Sequence, residues 1–228
     1  MARITRARWW LAAGVILTTV VTVGMASSLS VTSSNLTSYR TCVIQGYPAT
    51  ATAESDSMVQ QDNTGTNYGT ATTMEVQSRS TNKNHRGFVK FDLSKCSPTI
   101  ASTASVKLAT LRVLVSALAS SCRTDDVYRV TATWTETAIT WTNQPATSGT
   151  ATGSANVGAT PCANSTTNGY VNWDVTADAS TFVAGTATNF GWMVRDRTEN
   201  SSGTNLNTYT TKDAGFLGSA PELVINYS

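Results

Sequence analysis

From residue 43 to the C-terminus the chain is cut into short runs rich in Val, Ile, Thr and aromatic residues, each closed off by a cluster of Gly, Asn, Asp, Ser or Pro. Runs of that length and spacing read as strands joined by turns, and the three-to-four-residue recurrence of an amphipathic helix is nearly absent. Composition agrees: 40 of the 228 residues are Thr and only 13% are charged, so β-branched residues abound and strong helix formers are scarce. A single open sheet of roughly eight to ten strands would leave exposed edges, whereas two packed antiparallel sheets share a core. The expected fold is therefore all-β: a single-domain antiparallel β-sandwich over residues 43–228 with a jelly-roll-like order.

In residues 87–93, Val89, Phe91 and Leu93 alternate with Phe88, Lys90 and Asp92, the pattern of a half-buried strand. In residues 107–118, Leu111, Val113 and Val115 point one way and Arg112 and Ser116 the other; Leu108 and Leu114 make the second face apolar too, as in a central strand covered on both sides. Further strands are expected at 127–130, 138–141, 170–175, 191–195 and 222–227. Residues 178–183 read as a short helical turn capped by Asp178, and 146–163 as a long connection with at most one weak strand.

The first 26 residues differ from all that follows. Arg3, Arg6 and Arg8 precede 18 uncharged residues from Trp9 to Ala26, with small residues Gly24 and Ala26 at the end, as in a secretory signal. The run also falls within the roughly 17–25 residues that span a bilayer, so retention as an N-terminal anchor is the alternative. Either outcome places the rest of the chain outside the cytoplasm, with any membrane contact made through this segment. Residues 27–42 are a Ser/Thr-rich stem with little to bury. Once Arg3, Arg6 and Arg8 are set aside, 13 Lys and Arg face 14 Asp and Glu, and this near-neutral balance argues against nucleic acid as a partner.

Cys42, Cys96, Cys122 and Cys162 are an even set in an exported chain and are expected in disulfides. Four cysteines allow three connectivities. If the strand ending near Leu93 pairs with the one from 106 to 118, Cys96 and Cys122 lie at opposite ends of a hairpin, which favours Cys42–Cys96 and Cys122–Cys162. Zinc is disfavoured because there is no Cys-x-x-Cys and a single His.

Material for catalysis is thin. His85, the one histidine, sits at a strand entry where an exposed polar residue is the plainer reading, and no Gly-x-Ser-x-Gly elbow accompanies it. Glu136, Asp174, Asp178 and Asp196 could supply a carboxylate pair for glycoside cleavage, but no spacing selects two of them; for Glu136 and Asp174, hydrogen bonding to turn amides is the preferred role. The chain is read as no enzyme and as needing no cofactor. A structural calcium ion in the segment 62–67, DNTGTN, is a lesser option, since its oxygens alternate but the distal Glu of an EF-hand is missing.

Six short motifs recur in a recognisable order: Asn67-Tyr68-Gly69 within TNYGT, residues 85–94 (HRGFVKFDLS), residues 127–145 (VYRVTATWTETAITWTNQP), Trp173-Asp174-Val175-Thr176, Thr188-Asn189-Phe190-Gly191, and residues 221–227 (PELVINY). Together they resemble the DNRLRE domain, also described as carbohydrate-binding module family 96. The resemblance implies a β-sandwich of extracellular and cell-surface proteins, commonly joined to polysaccharide-degrading enzymes, some members binding uronate polymers such as alginate. A non-catalytic binder of an acidic polysaccharide is then the leading function, and a structural or adhesive surface protein the alternative.

Sugar recognition draws on aromatic faces and, for uronates, on Arg and Lys. Arg86 and Lys90 share one strand face by their period-2 spacing and are expected to supply charge, with Arg112 and Arg195 added from strands of the same register. Trp141, Trp173 and Trp192 are expected in the core. Trp134, in a polar Thr-rich turn, is the aromatic expected to face solvent.

Overall fold

The outward and inward faces of residues 85–91 set the architecture, because this strand is hydrogen-bonded along both edges. The computed structural model describes residues 39–47, 52–216 and 218–228. Among them are β1 (Arg40–Gln45), β2 (Glu54–Gln60), β3 (Thr73–Arg79), β4 (His85–Phe91), β5 (Val106–Ala117) and β6 (Arg123–Arg129). They continue with β7 (Gly153–Val157), β8 (Gly169–Asp174), helix α1 (Thr176–Val183), β9 (Trp192–Asp196), β10 (Thr204–Thr210) and β11 (Glu222–Tyr227). All strand pairs are antiparallel. One layer runs β1-β11-β5-β8 and the other β2-β4-β9-β6-β7, with β10 and β3 linking β5 to β4. This is the all-β antiparallel sandwich expected, with long-range pairings of the jelly-roll kind. The described residues from 39 to 228 form one compact unit. The leader and residues 27–38 of the stem lie outside the described residues, while Arg40, Thr41 and Cys42, assigned to the stem, lie in β1.

The core is built by alternation. Leu111, Val113 and Val171 with Trp173 from the first layer, and Val89, Phe91, Trp192 and Val194 from the second, are each at most 1% exposed. The strand at 222–227 is found as expected, Leu223, Ile225 and Tyr227 facing inward. β5 pairs with β8 on one edge and with β11 and then β10 on the other, which explains its apolar content. Its second face is only half covered: Leu114 is buried but Leu108 remains 43% exposed.

Other expectations change. Residues 138–141 form no strand but pass through two turns, whereas the one weak strand allowed within 146–163 is found, as β7. β1, β2, β3 and β10 lie outside the expected strands. Helix α1 has Val175 at its N-cap, with no capping side chain, so Asp178 lies within the first turn and does not cap it; Asp174 Oδ1 accepts from the Thr176 N–H at 2.9 Å in the turn leading into the helix, the turn-amide role expected of it. Asp178 Oδ2 instead accepts from Trp192 Nε1 at 2.9 Å and Thr152 Oγ1 at 2.6 Å, fastening the helix to β9. The disulfides are Cys42–Cys96 and Cys122–Cys162. The pairing is the favoured one, but its supposed reason fails: β4 and β5 are not a hairpin, and lie in different layers.

Candidate functional site

Register brings side chains far apart in sequence onto the outer face of the β2-β4-β9-β6 layer. Phe88 of β4 lies opposite Met193 of β9, and Met193 opposite Tyr128 of β6. Extending that register by one pair at each end places Arg86 beside Arg195 and Lys90 beside Gly191. The segment from Thr131 to Pro145 folds back over this face, so that Phe88, Val59, Tyr128, Met193, Trp134 and Ile139 form a second apolar cluster outside the main core.

That cover reverses the two tryptophan assignments. Trp134 is 6% exposed, packs edge-on to Phe88 with centroids 5.8 Å apart, and donates from Nε1 to the Phe190 carbonyl at 2.8 Å. It is buried because the apolar patch on β4 and β9 lies beneath its loop, a patch that neighbouring threonines do not reveal. Trp141, assigned to the core, is partly exposed and carries the Arg86 guanidinium 4.5 Å from its ring centre. Trp173 and Trp192 are core residues.

The expected cations have separate fates. Arg86 donates from Nε and Nη2 to Glu199 at 2.6 and 2.7 Å and from Nη1 to Gln144 at 2.9 Å. Arg195 reaches the same Glu199 at 3.2 Å and the Tyr128 hydroxyl at 3.0 Å. Arg112 lies in the other layer, paired with Glu222 at 2.6 Å and set over the Tyr170 ring. Lys90 has no carboxylate within ion-pair distance among the described residues. Its ammonium stands 5.1 Å from the Trp134 ring centre, beside an open groove of about 470 Å³ where β2 begins and β4 ends, lined also by Ser55, Asp92, Thr133, Asn189 and Phe190. The structure thus gathers Arg86, Lys90, Arg195 and Trp134 on one face and leaves Arg112 elsewhere.

The carboxylates considered for catalysis are each held by a different structural partner. Asp174 accepts from the Thr176 amide, Asp178 binds Trp192, and Asp196 takes a two-pronged contact from Arg123 at 2.7 and 2.9 Å. Glu136 meets Lys212 Nζ at 2.5 Å, not the turn amides expected. His85 is buried, not exposed, with Nδ1 2.8 Å from Glu75 and Nε2 3.1 Å from Asp62. The side chains of the segment 62–67 are turned to separate partners: Asp62 to His85, Asn63 to Gln60, and Asn67 to the Glu136 and Ile139 carbonyls.

Sequence reasoning missed a buried charged cluster. Glu54 and Asp56 of β2 point inward together with Lys212, whose N–H donates to Asp56 at 2.8 Å and whose Nζ donates to the Glu54 carbonyl at 3.1 Å. Burial pushes Asp56 up to about 7 despite the Lys212 amide and ammonium beside it. Burial, then the adjacent Asp56, raises Glu54 well above the ordinary carboxylate range. Burial alone would lower Lys212, but Glu136 and Glu54 hold it above its usual value. In the sequence these inward carboxylates look like the solvent side of an amphipathic strand, so no local signal marks them.

A family model for carbohydrate-binding module family 96 matches residues 47–227, the span that contains β2 to β11, the groove and the charged cluster. A comparison with curated proteins finds no significant match. With four fifths of its length under that model, and with the strand order and motif turns described above, the chain belongs to carbohydrate-binding module family 96.

Proposed function

We propose that this protein is a non-catalytic, extracellular module that binds an acidic polysaccharide of the uronate type through the groove beside Lys90. Lys90 carries the reading: it is the one member of the expected cation set whose charge is left for a ligand. It stands over an aromatic ring at the mouth of a groove whose wall carries hydroxyl and amide side chains, the Phe190 ring and the Asp92 carboxylate; the amine, the ring and the neutral polar groups suit a carboxylated sugar, bound on the side away from Asp92. Two disulfides are compatible with an exported chain. Arg86, Arg195 and Arg112 then serve as scaffold, since their guanidinium groups are occupied within the protein.

The test is retention on immobilised uronate and neutral polysaccharides at two salt concentrations. Retention on uronates should fall as salt rises, and Lys90→Ala should weaken it severalfold with an unchanged melting temperature. A second reading, a structural or adhesive surface module, is favoured by the internal pairing of the three arginines. Absence of retention on every polysaccharide, or equal retention by Lys90→Ala, would select it.

A further inference from the structure

The groove beside Lys90 does not stop at Phe190. That ring also lines a recess of about 220 Å³ with Thr131, Thr188 and Arg129, and Arg129 in turn lines a further recess of about 350 Å³ with Ser148, Thr150 and Asp178. The three hollows share residues because they follow one end of the sandwich, where β4 and β6 finish and β9 begins. Val89 of β4 lies opposite Trp192 of β9, and Trp192 opposite Arg129 of β6. The Arg129 backbone is therefore two strand spacings, ~10 Å, from that of Val89, the neighbour of Lys90. Helix α1 and the turn after it line all three hollows, through Phe182, Ala187 and Thr181 respectively.

Arg129 is held differently from Arg86, Arg195 and Arg112, which donate to carboxylates at 2.6, 3.2 and 2.6 Å. Its one carboxylate neighbour within ion-pair distance among the described residues is Asp178, whose Oδ1 stands 3.8 Å from Nε, beyond hydrogen-bond length. Asp178 is fixed through its other oxygen, which accepts from Trp192 and Thr152. The Arg129 side chain is 31% exposed, and among the described residues its guanidinium makes no hydrogen bond. A planar fork of unused N–H donors is matched by a carboxylate that accepts two parallel bonds. Asp178 offsets part of the charge, so those paired bonds, more than net attraction, would hold the ligand. The partly exposed Phe190 ring lies between the two cations along the groove, and an apolar sugar face can rest on it.

We propose that Arg129 forms a second carboxylate subsite, so that the module takes a stretch of several uronate units laid from Lys90 across Phe190 to Arg129. A single sugar reaches only one of the two cations. This inference rests on the reading of the Lys90 groove given above.

The test is titration calorimetry of the full chain with soluble uronate oligosaccharides, from disaccharide to hexasaccharide and longer. Wild type should gain roughly tenfold or more in affinity over that series. Arg129→Gln should melt as wild type does, bind the disaccharide unchanged and lose most of the gain with length; Arg129→Lys, which keeps the charge without the fork, should fall between the two. Lys90→Ala should weaken every length. Affinity independent of length in wild type, a hexasaccharide bound equally by Arg129→Gln and wild type, or an Arg129→Gln loss equal for disaccharide and hexasaccharide would each overturn the Arg129 subsite while leaving the Lys90 groove standing. Failure of wild type to bind any length would overturn the groove reading and the subsite with it.

Discussion

Arg86 shows how a residue can satisfy a sequence rule and still take another role. Its period-2 spacing with Lys90 does place both on the outer face of β4, but Glu199, 113 residues away, takes the guanidinium edge-on. Arg86→Ala should therefore cost stability, on the order of 1–3 kcal/mol, because Glu199 is only 13% exposed and would keep Arg195 alone as its partner. Urea denaturation checks this against Lys90→Ala, which should stay within about 0.5 kcal/mol of wild type. The motif asparagines are more legible. Asn67 and Asn189 each accept from the N–H of the glycine two residues on, at 3.1 and 3.0 Å, and each donates to a distant backbone carbonyl at 2.8 Å. Their glycines are required by close approach: a Cβ on Gly69 would lie 2.2 Å from the Glu136 oxygen, and one on Gly191, at φ +78, 2.1 Å from that of Val89.

Among the elements, the Thr131–Pro145 cover is the one whose sequence misleads most. Its threonines and turns suggest solvent, yet Trp134 and Ile139 close an apolar cluster on the outside of a sheet. Trp134→Ala should cost about 3–5 kcal/mol and loosen the cover, whereas Trp141→Ala, at a partly exposed site, should cost clearly less. Thermal unfolding of the two variants decides the order. Of the four strands missed in the sequence, β1 begins inside the segment assigned to the stem, and the other three share a cause. β2, β3 and β10 turn Glu54, Asp56, Gln77, Asn205 and Asn207 inward, so polar residues occupy buried positions and the usual contrast between faces disappears. β4 and β11 keep that contrast and were readable, β11 to its ends.

Across the whole molecule, the two layers are tied through a buried polar centre. Asp125 of β6 is fully buried and accepts from the Tyr209 hydroxyl at 2.5 Å and Asn207 Nδ2 at 3.0 Å, while Trp173 of the opposite layer donates to its backbone carbonyl at 2.9 Å. Burial raises its carboxyl from 3.8 to about 7, against the lowering effect of those two hydrogen bonds. Between those values the unfolded chain gives up this proton and the folded one keeps it. Stability should therefore fall as pH rises from about 4 to about 7 and level off above, this group contributing at most ~1.4 kcal/mol per pH unit. Asp125→Asn should flatten that decline. Chemical denaturation of both proteins across this pH range tests it.

The class of fold and much of the strand layout were determined locally, because period-2 alternation, Asn-x-Gly turns and a scarcity of helix formers act over a few residues at a time. Which tryptophan is covered, which arginine is already paired and which carboxylates are buried together were decided only by tertiary structure. The partners concerned lie 56 residues apart for Trp134 and Phe190, 113 for Arg86 and Glu199, and 156 for Asp56 and Lys212. A side chain's charge and exposure depend on what the opposite strand or covering loop places against it, and no window of neighbouring residues contains that information.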